Sequence, residues 1–333
     1  MKKIAIVLSL IVSIVSCKNE VAKDYVTLSG TITNQNSDSL VIESREYEKT
    51  IKVNEDGSFR DTLKIENGSY WLSDGTEGTS LYLKNGFDLT FSLNTEEFDE
   101  TIAYDGIGSE ANNYLAKKTL LNEEEVDFEA LMSSDRVGFD EKLNTISAKF
   151  KALLGTTKNL DSAFVAQEEK NIEMMSNRLT SRFEEKQILI AMKGQASPKF
   201  VDYENYAGGT TSLDDLKGKY VYIDMWATWC APCIAEIPSL KELEKAYHGK
   251  NIEFVSISVD RKKDYEAWKT MVNDKELGGI QLYSNRDESF GKAYMISGIP
   301  RFILIDPQGN IVSADALRPS DSKLTALFNS LNI

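Results

Sequence analysis

The apolar residues of this chain are spaced in three different ways along three successive stretches. From residue 25 to residue 107, apolar and polar residues alternate in short runs, separated by turn sequences such as Asn-Glu-Asp-Gly at 54–57 and Asn-Gly at 67–68. Alternation with a period of two predicts half-buried strands. We therefore predict a small all-β domain over residues 25–107, either a sandwich or a barrel-like sheet.

The second stretch, residues 108–195, carries apolar residues at helical spacing. Phe139, Leu143, Ile146 and Phe150 recur every three or four positions, and no proline interrupts the stretch. This pattern is typical of amphipathic helices. It predicts two to four helices that connect the all-β domain to the rest of the chain.

In the third stretch, residues 196–333, continuous apolar runs alternate with helical patterns. The runs at 220–225 and 252–259 are apolar at most positions, as in buried strands, and helical patterns follow at 231–247 and 263–273. Strands that alternate with helices predict an α/β sheet with helices on both faces. The chain is thus expected to end in an α/β domain.

The first sixteen residues predict a signal peptide. Lys2 and Lys3 precede an apolar run that is too short to span a bilayer comfortably and that ends just before Cys17. The sequence Ile-Val-Ser-Cys at 14–17 resembles a bacterial lipobox, which implies cleavage before Cys17, lipidation of its thiol and a tether over residues 17–24. We expect a lipid anchor in the cell envelope, at the outer membrane facing the periplasm or at the cell surface. An ordinary secretory signal is the alternative.

Charge and composition exclude two classes of function. The chain has 52 acidic and 38 basic residues and a net charge of −14, so it repels polyphosphate and we expect no nucleic-acid partner. It has one histidine, His248, and three cysteines, which are too few ligands for a zinc or haem site. We therefore expect neither a metal nor a cofactor.

With Cys17 assigned to lipid, the remaining cysteines are Cys230 and Cys233, a lone C-x-x-C pair that favours redox chemistry in an exported protein. The pair lies where a predicted strand meets the start of a predicted helix. Backbone amides and the helix dipole stabilise a thiolate at that place. We expect an exposed Cys230 to attack a disulfide and Cys233 to resolve the intermediate. A zinc site, the usual alternative, would lack its other ligands.

The segment Trp-Ala-Thr-Trp-Cys-Ala-Pro-Cys at 226–233 resembles the active site of the thioredoxin superfamily, and specifically its extracytoplasmic TlpA-like and ResA-like branch. The resemblance covers about residues 196–333. Pro238 matches a proline that kinks the active-site helix, and Pro300 matches the proline that follows a cis peptide bond. The resemblance implies a thioredoxin-like fold, a redox-active Cys230–Cys233 disulfide and catalysis without a cofactor.

The same resemblance suggests further site residues. Asp224 matches a buried aspartate of cytosolic thioredoxins, Glu236 matches an acid of the branch, and Arg301 stands where threonine is usual. We expect Asp224 and Glu236 to accept a proton from Cys233, the alternative being that both are structural acids. Pro300 is expected to shape the substrate groove. The other residues expected to shape the active site are Trp226, Trp229, Pro232, Pro238 and Ile299.

The predicted function is reduction of disulfides in exported client proteins, with apocytochrome c as one candidate client and a membrane electron donor of the thiol-reducing type. The β region and helices resemble the extension found ahead of the redoxin domain in TlpA-like lipoproteins. One alternative is an outer-membrane lipoprotein that binds a ligand through aromatic residues such as Tyr70, Trp71 and Tyr82. The other is a peroxiredoxin-like peroxidase, whose Pro-x-x-x-Thr-x-x-Cys pattern fails at Ile223 and Ala227.

Overall fold

The computed structural model describes residues 23–331 and 333. These residues form two compact units, and the division falls between Asn177 and Arg178, inside one long helix. The predicted signal peptide and the predicted lipidation site at Cys17 lie outside the described residues. None of the helices in the described part of the chain is both long enough and apolar enough to cross a bilayer.

The first unit begins with strands, as the alternating pattern predicts. Its strands and one short helix are β1 (Val26–Thr33), β2 (Ser39–Ser44), β3 (Tyr47–Lys52), β4 (Ser58–Leu63), β5 (Gly68–Ser73), β6 (Gly78–Leu83), β7 (Asp88–Asn94), α1 (Phe98–Thr101) and β8 (Ala103–Ile107).

These strands make two four-stranded sheets, in the orders β4-β1-β7-β8 and β3-β2-β5-β6. The inward residues of both sheets, such as Leu28 and Phe91 from one and Ile42 and Leu72 from the other, belong to a single buried cluster. The unit is therefore a β-sandwich, and the predicted all-β class is confirmed. Of the aromatic residues suggested above for a ligand site, Tyr70 and Tyr82 are buried and only Trp71 is exposed.

Four helices follow: α2 (Ser109–Glu125), α3 (Phe128–Met132), α4 (Arg136–Thr156) and α5 (Ser162–Ala191). Two adjacent asparagines of α2 pair with two edge strands. Asn112 accepts a hydrogen bond from the Tyr82 amide (2.8 Å) and donates to the Tyr82 carbonyl (3.0 Å). Asn113 does the same at Tyr104, with distances of 2.9 and 2.7 Å. Tyr82 lies on β6 and Tyr104 on β8, and each of these strands is at the edge of its sheet. Helix α2 therefore covers one edge of each sheet.

The second unit contains one mixed sheet of seven strands, in the order β10-β9-β13-β12-β11-β14-β15. The predicted α/β class is confirmed. The segment predicted as a helix at 263–273 opens with a 3₁₀ turn over Lys262–Asp264, and the α-helix itself covers Tyr265–Asp274. The elements are β9 (Tyr203–Asn205), β10 (Thr210–Thr211), β11 (Tyr220–Trp226), α6 (Ala231–Ala246), β12 (Ile252–Ser258), α7 (Tyr265–Asp274), β13 (Ile280–Tyr283), α8 (Ser289–Ala293), β14 (Arg301–Ile305), β15 (Ile311–Ser313) and α9 (Ser322–Ser330).

Candidate active site

Strand β11 leads directly into the cysteine pair. It lies between β12, to which it is parallel, and β14, to which it is antiparallel, and all of its residues after Tyr220 are buried. A strand covered on both faces has to be apolar at almost every position, which explains the continuous apolar run. The chain leaves the sheet after Trp226 and enters α6 at Ala231. The carboxyl end of a central strand is where α/β sheets commonly carry their functional groups.

Cys230 and Cys233 form a disulfide at the start of α6, with an S–S distance of 2.02 Å. Cys230 is the N-cap residue, and its Sγ accepts a hydrogen bond from the Cys233 amide at 3.2 Å. Pro232 lies in the first turn, where a missing amide proton leaves no hydrogen bond unmade. In the dithiol form, the same amide and the positive end of the helix dipole stabilise a thiolate at Cys230 in preference to Cys233.

The expectation that Cys230 is exposed is wrong for the disulfide form. Both cysteine side chains retain only 4% of their accessible surface, because they pack in an apolar cluster with Trp226 and Trp268. The side chain of Trp229, in contrast, is 64% exposed. The disulfide therefore lies just beneath the surface, and the position of Cys230 at the helix end, not its exposure, distinguishes the two sulfurs.

A buried aspartate that the sequence analysis missed fixes the loop before Cys230. Asp260, which is fully buried, accepts hydrogen bonds from the Thr228 amide at 3.0 and 3.1 Å and from the Thr228 hydroxyl at 2.8 Å. The Ser258 hydroxyl also donates to it, at 2.9 Å. The one sequence signal was the acid two residues after the apolar run of β12. Asp260 thus positions the Trp226–Cys230 loop from the neighbouring strand.

Pro300 follows a cis peptide bond with Ile299, as the resemblance implies. Ile299 packs against the apolar cluster that contains the disulfide, and Trp226 lies inside that cluster. The structure therefore places Trp226, Ile299 and the cysteine pair together. The cis-proline loop precedes β14, which is the antiparallel neighbour of β11.

Comparisons with known proteins agree with this geometry. Residues 192–327 match the Redoxin family model. The C-terminal domain is a Redoxin domain of the thioredoxin superfamily. Thiol-disulfide oxidoreductase ResA of Bacillus thuringiensis (strain Al Hakam) is 32% identical over 119 residues, which cover 36% of this chain and 66% of that protein. ResA of Bacillus subtilis (strain 168) is 31% identical over 122 residues, covering 36% of this chain and 65% of the relative.

The chain thus spans slightly less than two thirds of the length of the curated relatives it matches. Among solved structures, the thioredoxin domain of a thiol-disulfide oxidoreductase from Bacteroides vulgatus is 29% identical. That match covers 42% of this chain and 98% of the other, with a TM-score of 0.38.

Asp224 lies in the interior of the Redoxin domain beside Cys233. It lines a small cavity of about 10 Å³ together with Cys233, Trp226 and Gln281. Three polar atoms of that lining, Asp224 Oδ1, Trp226 Nε1 and Gln281 Oε1, have no hydrogen-bond partner among the described residues. Burial raises the pKa of Asp224 to about 8, and the negative charges of Glu236 and Glu244 add to the rise.

Glu244 is a second acid of this cavity, and the sequence analysis missed it. It lies eleven residues after Cys233 on α6, which is three helical turns along the same face, so helical periodicity could have identified it. Burial raises its pKa to about 7, although the nearby Lys241 charge opposes the rise. Glu244 also lines an open surface cavity with His248 and Gly279. Glu244 therefore lines both the cavity beside Asp224 and a pocket that is open to the surface.

Glu236 has different neighbours. It is buried, and its carboxylate accepts hydrogen bonds from the Ser320 amide at 3.1 Å and the Ser320 hydroxyl at 2.9 Å. The Arg318 guanidinium lies 3.9 Å away. Glu236 does not contribute to the lining of the Asp224 cavity. These contacts connect α6 to the loop before α9. The negative charge of Glu236 also raises the pKa of Asp224.

Pro238 and Arg301 are the two residues named from the resemblance that remain to be placed. Pro238 lies inside α6, where it cannot donate the usual helical hydrogen bond. Arg301 is buried at the start of β14, with Glu185 at 3.2 Å and Asp315 at 3.1 Å from its guanidinium nitrogens. Within residues 23–331 and 333, no three His, Cys, Asp or Glu side chains cluster as a metal site would require.

Proposed function

We propose that this chain is an extracytoplasmic thiol-disulfide oxidoreductase that reduces disulfides of exported client proteins. The observation that carries the proposal is the Cys230 sulfur at the N-cap of α6. It accepts a hydrogen bond from the Cys233 amide and lies in the apolar cluster against which Ile299 of the cis-proline loop packs. This arrangement favours a thiolate on one cysteine and holds the second within reach of it. The names of the ResA relatives support the reaction class.

In the first step, the Cys230 thiolate attacks one sulfur of the client disulfide. A new S–S bond joins Cys230 to the client, the client disulfide breaks, and its second sulfur leaves as a thiolate. In the second step, the Cys233 thiolate attacks the Cys230 sulfur and releases the other client sulfur. Two electrons have then passed from the dithiol to the client, and the Cys230–Cys233 disulfide is formed.

The second step requires Cys233 to lose its proton while it is buried. Asp224 lines the same cavity and has a pKa of about 8, close to the ordinary value of about 8.5 for a thiol. The raised pKa of Asp224 thus lowers the free-energy cost of moving a proton from the thiol to the carboxylate. Glu244, which lines both this cavity and the open pocket, acts on this step through its negative charge, which adds to the raised pKa of Asp224. Glu236 acts on this step through its charge, which raises the pKa of Asp224.

For continued turnover, a membrane electron donor of the thiol-reducing type returns the disulfide to the dithiol. Lipidation of Cys17 would attach the protein to the outer membrane, on its periplasmic side or at the cell surface. An apocytochrome c, whose haem-attachment cysteines must be reduced, suits this reaction as a client.

Insulin reduction tests the proposal. With dithiothreitol as electron source, the purified protein should accelerate the precipitation of the insulin B chain, and a Cys230→Ser, Cys233→Ser double variant should match the uncatalysed rate. A wild-type protein that gives no acceleration would contradict the proposed function. Mass spectrometry of membrane-extracted protein tests the anchor separately, since a mature chain that begins at a residue other than a lipidated Cys17 would refute it.

A further inference from the structure

A groove lies beside the disulfide. It has a volume of about 830 Å³, and apolar side chains, among them Met225, Val259 and Ile299, form much of its surface. Val259 and Ile299 also pack against the cluster that contains the disulfide, so the groove adjoins the reactive sulfurs. The exposed Trp229 stands at the same groove. A client segment that presents its disulfide to Cys230 would lie across this surface.

The groove is lined by three cationic and two acidic side chains, the acids being Asp287 and Glu288. Arg261, Arg286 and Lys292 line it. Lys292 is neutralised by Glu288 at 2.8 Å. Neither Arg261 nor Arg286 has a carboxylate within salt-bridge distance among the described residues, and both side chains are exposed.

The one other acid of the groove is already engaged. Asp287 accepts hydrogen bonds from the Ser289 amide at 2.8 Å and from the Tyr203 hydroxyl at 3.1 Å. Arg286 itself is held in the left-handed region, with φ of 68°, a conformation that is unfavourable for a residue with a side chain. The loop thus keeps an unpaired guanidinium at the groove.

This local charge is opposite to that of the whole chain. The net charge is −14, yet two unpaired arginines border the groove, and Lys262 and Lys263 follow Arg261 directly. A guanidinium binds a carboxylate through two parallel hydrogen bonds, which gives both affinity and orientation. We propose that the groove selects client segments that carry Asp or Glu beside the disulfide cysteine. This inference rests on the proposed oxidoreductase function and names its class of substrate.

Three versions of one peptide with an internal disulfide test the inference, with Glu, Gln or Lys at the positions that flank the cysteines. The reduced full-length protein is mixed with each peptide, and the second-order rate constant is divided by that for dithiothreitol, which corrects for the intrinsic reactivity of each disulfide. At low salt we expect the Glu peptide to react about tenfold faster than the Gln peptide, and the Lys peptide to react more slowly than either. In 0.5 M NaCl the three values should converge.

The Arg261→Gln, Arg286→Gln double variant should lower the Glu-to-Gln ratio to about one. Lys245→Gln, Lys250→Gln is the matched control, because it removes the same charge far from the groove. Lys245 lies in the last turn of α6, about 22 Å along the helix from Cys230, and Lys250 follows the end of the helix. That control should keep the wild-type ratio. Equal corrected rates for the three peptides, or a ratio that survives in the arginine variant, would overturn the inference alone. Failure to reduce any of the three peptides would overturn the proposed function and the inference with it.

Discussion

The two units of this protein differ in how fully a buried polar side chain is hydrogen-bonded. In the sandwich unit, Asn112 is completely buried and makes three hydrogen bonds, two to the Tyr82 backbone and one to the Gly108 carbonyl. In the Redoxin domain, Asp224 is also buried, yet its Oδ1 atom has no partner among the described residues. A satisfied polar group holds structure together, whereas an unsatisfied acid has a raised pKa and is available for proton transfer.

The largest expected effect concerns the two cysteines. Cys230→Ser should lose disulfide reduction by about 10³-fold or more and form no covalent complex with clients, because the attacking thiolate is gone. Cys233→Ser should still attack and should accumulate mixed disulfides, since the resolving thiol is missing. Non-reducing gels after incubation with a disulfide-bearing client measure both. Equal trapping by the two variants would show that the attacker has been misassigned.

Asp224→Asn tests whether the unsatisfied acid of the Redoxin domain accepts the proton of Cys233. Resolution of the mixed disulfide should slow by about 10²-fold, while the initial attack changes little, because only the second step needs a proton acceptor at Cys233. In the wild type, the resolution rate should rise with pH through about 8 as Asp224 ionises. Stopped-flow measurements from pH 6 to pH 9 give both rates. An unchanged pH profile in the variant would remove Asp224 from the mechanism.

The same substitution makes a prediction about stability. The folded pKa of Asp224, about 8, lies above its ordinary value of 3.8, so folding favours the protonated form. The stabilisation of the folded state by protonated Asp224 is therefore complete below a pH of about 4 and is lost as the pH rises through about 8. Asp224→Asn should raise the free energy of unfolding by about 2 to 4 kcal/mol at pH 9 and have little effect at pH 4. Urea titrations at the two pH values check this, and a loss of stability at pH 9 would contradict it.

Asn112→Ala tests the structural side. It leaves the Tyr82 amide and carbonyl without partners at a buried edge of β6, which should lower the free energy of unfolding by about 2 to 3 kcal/mol. Disulfide reduction by the folded protein should be unchanged. Asn144→Ala is the matched control, since Asn144 is an exposed helical asparagine. An equal loss of unfolding free energy in both variants would mean that the hydrogen bonds between Asn112 and the Tyr82 backbone are not the cause.

The smallest effect is expected from Glu244→Gln. The negative charge of Glu244 contributes to the raised pKa of Asp224, so its removal should shift that pKa slightly downward. The midpoint of the resolution rate should move in the same direction. Glu242→Gln, on the exposed side of the same helical turn, serves as the control. An upward shift, or the same shift in the control, would exclude Glu244 from the environment of Asp224.

Some of the site could be predicted from local sequence because it depends on local structure. The apolar run of β11, the C-x-x-C pair and the start of α6 are consecutive, so the position of Cys230 at a helix N-terminus follows from the order of residues alone. Glu244 was predictable in principle from its spacing along α6. The roles of Asp260, Arg261 and Arg286 were not, because these residues reach the site from the segments that follow β12 and β13, which are distant in sequence from the cysteine pair.

The sequence by itself thus determined the strands, the helices, the α/β class of the C-terminal domain and the identity of the reactive pair, all of which follow from periodicity and from neighbouring residues. Only the tertiary structure decided which groups surround that pair. Sheet register placed Ser256 of β12 opposite Asp224 and Gln281 of β13 opposite Ser256, and α6 brought Cys233 and Glu244 to the same cavity. Burial, and with it the raised pKa of Asp224, depends on these long-range contacts and has no signature in the order of residues.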